Sequence, residues 1–221
     1  MTVTRRRPVR QPPSDTEGAA YTERLAALES AGWKRALDVQ RPYRWNLRRL
    51  GLGRTLDVGC GLGRNLGALG PGSVGIDHNA GSVEVARSRG LTAFTPDEFE
   101  ASRLAVPGAF DSMLLSHVVE HMDVPSADSL VATYLPYLRP GGSVAFICPQ
   151  ERGYTLDATH VWFVDFHALS QLAARMGLEV ARRYSFPFPR AFGRLFPYNE
   201  FVVVARTSAQ GAQPSHSPAD R

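Results

Sequence analysis

Five short apolar runs, "RTLDVG", "SVGID", "LTAF", "FDSMLLS" and "SVAFIC", recur along the chain, and their apolar residues are consecutive rather than alternating. Strands of that kind are buried on both sides, which restricts the chain to a mostly parallel sheet between two layers of helix. The segments between the runs supply those helices. They are residues 62–69, "AGSVEVARSRG" stopped by Gly90, "SADSLVATYLPYLRPGG" closed by Pro140 and two glycines, and "FHALSQLAARMG". Two later runs, "LEVARRYS" and "EFVVVAR", have no helix between them and read as an antiparallel pair at one edge. The expected fold class is therefore α/β. It has a mostly parallel seven-stranded sheet, helices on both faces and an antiparallel edge strand.

In an open sheet of this type, ligands bind beyond the carboxyl ends of the strands. Gly59, Gly61 and Gly63 fall there, in "TLDVGCGLGRNLGAL" at residues 55–69. Missing side chains let a ligand approach the backbone, and N–H groups at a helix start favour an anionic group. Spacing separates the possible ligands. A dinucleotide fingerprint G-x-G-x-x-G needs glycine at 64 or 66, where Arg64 and Leu66 stand. A phosphate-binding P-loop fails as well, because no Lys-Ser/Thr pair follows.

Composition bounds the rest. With 221 residues and 43% hydrophobic content, the chain can bury one sizeable core, assigned to residues 19–206. Residues 19–50 read as an N-terminal helical lid, interrupted at Gly32 and Pro42, and 51–206 as the core. The basic segment 1–18 and the polar segment 207–221 read as disordered tails. The net charge of +4 suggests nucleic acid, but Arg5, Arg6, Arg7 and Arg10 supply four positive charges within the first tail. The remainder is close to neutral, which argues against a nucleic-acid partner. No apolar run approaches the ~20 residues of a membrane span, and no apolar segment follows the N-terminal arginines, so neither membrane insertion nor secretion is expected. Cys60 and Cys148 form neither a metal-ligand pattern nor a disulfide framework; a reducing cytoplasm and no metal are expected.

What fits the glycine loop is D-x-G-x-G-x-G, written as Asp57, Gly59, Gly61 and Gly63. It resembles motif I of the class I S-adenosylmethionine-dependent methyltransferases, in their small-molecule branch. "VGID", "FTPDEF", "FDSMLLSHVVEHM", "LRPGG" and "LDATHVWF" resemble further segments of that family in the same order, over about residues 50 to 205. The resemblance implies the Rossmann-like methyltransferase fold, S-adenosylmethionine as cofactor and S-adenosylhomocysteine as product. It places Asp57 and the three glycines against the cofactor, with Arg64 and Asn65 near its methionine carboxylate. Asp77 is placed on the ribose hydroxyls, where a carboxylate accepts two O–H bonds at once. Asp97 is placed on the adenine amino group, and His78 and Ser116 complete the expected cofactor contacts.

Methyl transfer from a sulfonium is an in-line displacement whose electrophile arrives activated, so much of the work is positioning. An alcohol or phenol acceptor also needs a base, for which histidine is suited near neutrality. His117 and His160 follow the fourth and fifth strands and are the two candidates. Glu120 and His121 are expected to be structural, and Cys60 a small loop filler. No N-P-P-Y-like tetrapeptide follows strand four, which argues against nucleobase amino groups, and no acid cluster marks a catechol-type metal site. "YSFPFPRAFGRLFPYNEF" is too long for a tight hairpin and reads either as an acceptor wall or partner surface, or as a self-packed extension of the core. Trp33, Tyr43 and Trp45 read as apolar anchors of the lid. The expectation is a monomeric or homodimeric methyltransferase acting at oxygen on a small-molecule acceptor. A carboxylate or a sugar- or lipid-linked acceptor, or a non-catalytic cofactor-binding module, remains as the alternative.

Overall fold

A computed structural model describes residues 40–209. The tail 1–18, the segment 19–39 with Trp33 and the residues after 209 lie outside the described residues. In chain order the elements are α1 (Arg41–Leu50), β1 (Thr55–Val58), β2 (Val74–Ile76), α2 (Ala80–Ser88), β3 (Ala93–Phe94), α3 (Pro96–Glu100) and β4 (Phe110–Ser116). They continue with α4 (Val124–Tyr134), β5 (Leu138–Pro149), α5 (Glu151–Tyr154), α6 (Phe166–Arg175), β6 (Glu179–Phe186) and β7 (Glu200–Arg206). The seven strands form one sheet in the order β3-β2-β1-β4-β5-β7-β6. Strands β1 to β5 pair in parallel, and β7 runs antiparallel to both β5 and β6. The antiparallel edge read from the last two apolar runs is where the chain places it.

Alternation along the central strands divides the core between the two faces, as the period of two requires. Met113, Leu115, Val144, Phe146, Cys148 and Val203 pack on one side with Val131 of α4 and Leu169 and Leu172 of α6. Leu114, Ala145, Ile147 and Val202 pack on the other with Leu47 of α1 and Leu52. Pro42 does not interrupt α1; it sits in the first turn, where its missing N–H costs nothing, and the helix closes at Gly51 with φ 66°. Tyr43 anchors this helix, its hydroxyl donating to the Tyr198 carbonyl at 2.8 Å, whereas Trp45 is 53% exposed. The helices after β2, β3 and β4 start on side-chain caps from Asn79, Thr95 and Asp123. Each cap satisfies an otherwise unpaired N–H at the sheet edge where the glycine loop lies.

One expected helix does not form. Residues 62–69 fold as turns and a single 3-10 turn at Leu66–Ala68. The apolar spacing is honoured, since Leu62, Leu66 and Ala68 are buried. The hydrogen-bond ladder is not, because Gly63, Gly67 and Gly70 lie within eight residues and each glycine disfavours helix by about 1 kcal/mol relative to alanine.

The three alternate glycines serve two different ends. All have positive φ: 76° at Gly59, 53° at Gly61 and 80° at Gly63. A Cβ on Gly59 would run into the Val118 side chain, and one on Gly63 into Leu91 and Ala86. At these two positions the close neighbour is the protein itself. A Cβ on Gly61 would meet nothing within 4 Å, so Gly61 alone faces open space. Cys60 packs beneath the loop against Gly75, where a Cβ would come within 2.6 Å of its sulfur; it is the filler its size suggested. Gly63→Ala is therefore expected to destabilise by about 2–4 kcal/mol, adding overpacking to left-handed strain. Gly61→Ala should cost only about 1 kcal/mol, from strain alone. Urea midpoints check the difference; equal losses would contradict the packing account.

Candidate functional site

The carboxyl ends of β1 and β2 are laced together by backbone hydrogen bonds. Gly59 and Cys60 both donate their N–H groups to the Ile76 carbonyl, at 2.8 and 3.0 Å. The next residue after Ile76 is Asp77, whose two oxygens brace both loops. Oδ2 accepts from the Gly61 N–H at 2.7 Å and Oδ1 from the Asn79 N–H at 2.9 Å. Each oxygen keeps a further lone pair, so Asp77 still offers two acceptor positions to a diol. Asp57, at the same end of β1, is 1% exposed, and its Oδ2 has no hydrogen-bond partner among the described residues. Burial above all, and then the charge of Asp77, push its carboxyl up to about 7, while Arg64 pulls the other way. A buried, unpartnered carboxylate oxygen is rare in a folded protein. It calls for a donor that the described residues do not supply.

The other expected cofactor residues lie at or after the carboxyl ends of β1 to β4. Arg64 is exposed and Asn65 half-buried in the turns that replace the helix. His78 is exposed, with Nδ1 3.7 Å from Asp77 Oδ1. Ser116 is half-buried at the end of β4. The Asp77 N–H donates to the Phe94 carbonyl at 3.1 Å, which sets the end of β3 beside it and leads on to Asp97 in the first turn of α3. Asp97 is exposed. Its neighbour Glu98 is committed elsewhere: it closes the capping box with Thr95 and pairs with Arg87 at 2.7 Å. The Thr95 N–H and then Arg87 hold the Glu98 carboxyl below its usual range.

The two candidate bases emerge in different states. His117 directly follows β4 with φ 58°, a left-handed backbone uncommon outside glycine. Its Nε2 lies 2.9 Å from Glu200 and its Nδ1 3.3 Å from Glu120. Burial disfavours the charged ring, but hydrogen bonds and charge from Glu120 and Glu200 outweigh it and lift the ring to about 9. His117 thus holds its proton near neutrality. His160 lies in the loop after α5, and its Nδ1 sits 2.8 Å from the Tyr154 carbonyl. A carbonyl only accepts, so Nδ1 carries a proton, and in the neutral ring Nε2 keeps its lone pair. The ring stacks on Tyr154, with centroids 5.2 Å apart.

The sequence did not single out what surrounds His160. The Val161 and Trp162 N–H groups donate to the Glu120 carbonyl at 2.9 and 3.2 Å, tying this loop to the turn after β4. His121 and His160 then lie with ring centroids 4.7 Å apart. Glu120 and His121, expected as structural residues, are part of this grouping. About forty residues of chain separate the two segments; only the parallel pairing of β4 with β5 brings them together.

Asp57 carries a pH signature. Its folded carboxyl is raised to about 7, so the folded state binds a proton that the unfolded chain releases near pH 4. Its contribution to stability is therefore most favourable below pH 4 and is lost as pH rises to 7. Asp57→Asn should remove this slope and raise stability at pH 8 by at most about 4 kcal/mol, the energy of the shift. Denaturation midpoints across pH 4 to 8 check it; a variant with an unchanged slope would contradict the assignment.

A sequence model of a methyltransferase-domain family matches residues 25–182, well over half of the chain. No curated protein matches the sequence. Among solved structures, an S-adenosylmethionine-dependent methyltransferase from Archaeoglobus fulgidus aligns at 18% identity and TM-score 0.56, covering 76% of this chain and 94% of its own. Magnesium protoporphyrin IX methyltransferase from Synechocystis, solved with S-adenosylhomocysteine, aligns at 14% identity and TM-score 0.61, covering 88% and 97%. The 1,6-didemethyltoxoflavin-N1-methyltransferase of Burkholderia thailandensis, solved with its acceptor and S-adenosylhomocysteine, aligns at 19% identity and TM-score 0.54, covering 91% and 94%. Family, fold and the laced strand ends agree: the chain belongs to the class I S-adenosylmethionine-dependent methyltransferases.

Proposed function

We propose that the chain methylates a hydroxyl group of a small molecule, with His160 activating the acceptor. The observation that carries this is the tautomer of His160, whose Nδ1–H is spent on the Tyr154 carbonyl so that Nε2 remains an acceptor. His117 is a poorer base, since its ring is already protonated between Glu120 and Glu200. Its part is to fix the end of β4 against β7.

The residues at the strand ends suit the cofactor. Asp57 and Asp77 form an acidic pair, and Asp57 has an unpartnered oxygen, which favours a ligand bearing positive charge and N–H or O–H donors. S-adenosylmethionine is such a ligand, and it supplies the activated methyl group on its sulfonium. On this reading Asp77 takes the ribose hydroxyls and Asp97 the adenine amino group. Gly61 admits the cofactor to the backbone, Asp57 answers its positive charge, and Arg64 and Asn65 attend its carboxylate. His78 and Ser116 flank it.

Two considerations support a small, largely apolar acceptor. The two acceptors that the related structures name, magnesium protoporphyrin IX and 1,6-didemethyltoxoflavin, are both small molecules. Phe188, Phe192, Leu195 and Tyr198 are exposed on the segment between β6 and β7, which begins and ends beside Tyr43 through Phe186 and Tyr198. Among the described residues no helix is long and apolar enough to cross a membrane.

A positioned base contributes ~10²–10⁴-fold to turnover. His160→Ala should therefore lower turnover on the true acceptor by that factor while S-adenosylhomocysteine affinity stays constant. Full activity in both His160→Ala and His117→Ala would overturn the base and favour a carboxylate acceptor, which needs none.

A further inference from the structure

We infer that Glu120, His121 and His160 form a binding site for one divalent transition-metal ion of the zinc class. One ligating atom from each of the three lies within 4.8 Å of the other two. Glu120 is fully buried, and among the described residues no hydrogen bond of good geometry reaches either of its carboxylate oxygens. Its nearest charged neighbour is the His117 ring, at 3.3 Å from Oε1. That contact and the Cys148 thiol balance part of the charge and leave further lone pairs of the carboxylate open.

The histidines are prepared in the way that metal-bound imidazoles are. Such rings almost always donate their other N–H to a carboxylate, a carbonyl or a hydrogen-bonded intermediary, which fixes the tautomer and raises the basicity of the ligating nitrogen. His160 donates Nδ1–H to the Tyr154 carbonyl. The Thr159 hydroxyl donates to Asp157 Oδ1 at 2.7 Å, so its oxygen must accept from His121 Nδ1, 3.0 Å away. Asp157 is in turn held by the Thr159 N–H at 3.0 Å. The proton positions follow from these partners, and they leave Nε2 of both rings as lone-pair donors. Two imidazole nitrogens and one carboxylate are the donor set of a zinc-class ion, whereas magnesium favours oxygen ligands and retained water. Ligand bonds of ~2.0–2.2 Å would draw tetrahedral donors to about 3.4 Å apart, so loading would close the cluster by at most about 1.4 Å. The backbone tethers from Val161 and Trp162 to the Glu120 carbonyl already hold the two segments in place for it.

The site itself stands apart from the methyl-transfer reading. Only its consequence rests on that reading: with the ion bound, His160 would act on the acceptor hydroxyl through the metal rather than as a free base.

The test is calorimetric titration of the chelator-stripped full chain with zinc chloride. One saturable, sub-micromolar site per chain is expected. His121→Ala and His160→Ala should each weaken it at least ~100-fold, and Asp157→Asn ~10–100-fold through the ligand-orienting chain. Magnesium chloride should give no comparable site. S-adenosylhomocysteine binding, measured on the same samples, reports that each variant is folded and separates failure of this site from failure of the methyltransferase reading. No saturable zinc uptake by the wild type, or equal uptake by the His121→Ala/His160→Ala double variant, would overturn the proposal.

Discussion

The structure turns on the Asp77 carboxylate. Its two oxygens hold the N–H groups of Gly61 and Asn79, so one side chain sets the spacing between the loops that leave β1 and β2. Charge-assisted hydrogen bonds of this kind are among the stronger ones available to a loop. The loops need it, because the segment after the glycines lacks a full helix to hold it. With Gly59 and Cys60 fastened to the Ile76 carbonyl, the backbone of Gly61 is fixed beside an acidic surface. Asp57 bears the cost, as a buried carboxyl raised to about 7 by burial and by Asp77. Functional sites commonly trade stability for such preorganisation.

A second consequence of the sheet concerns the acceptor side. Parallel pairing of β4 and β5 carries the residues that follow each strand to one edge. His117 and Glu120 arrive from the first, and the loop with Asp157 and His160 from the second. Strand β7 adds Glu200 from the antiparallel side. The result is a group of ionisable side chains in which protonation is partitioned. His117 is charged between two carboxylates, while burial, ahead of the charge of Glu120, holds His121 below the usual imidazole range.

Much of this was legible in the residues alone. Consecutive apolar runs fix buried strands because nothing else accommodates them, and β4 and β7 fall where "FDSMLLS" and "EFVVVAR" stand. The helix at 62–69 was misread, since the spacing of Leu62, Leu66 and Ala68 satisfies burial equally well in turns, and glycine decides between the two. The glycines themselves were read as a cofactor cradle. Two of the three also make room for Val118, Leu91 and Ala86, contacts between segments far apart in sequence that no local pattern encodes. The grouping of Glu120 and His121 with His160 escaped for the same reason. "HVVEH" and "DATH" carry the residue types, but their meeting depends on strand register.

The central claim is that the Asp77 brace is also the cofactor's seat, and calorimetric titration of Asp77→Ala with S-adenosylhomocysteine tests it most directly. Loss of two charge-assisted hydrogen bonds, worth roughly 2–4 kcal/mol together, predicts an affinity lower by ~30- to 1000-fold in a protein that still folds. An affinity equal to that of the wild type would contradict the account and move the ribose contact elsewhere.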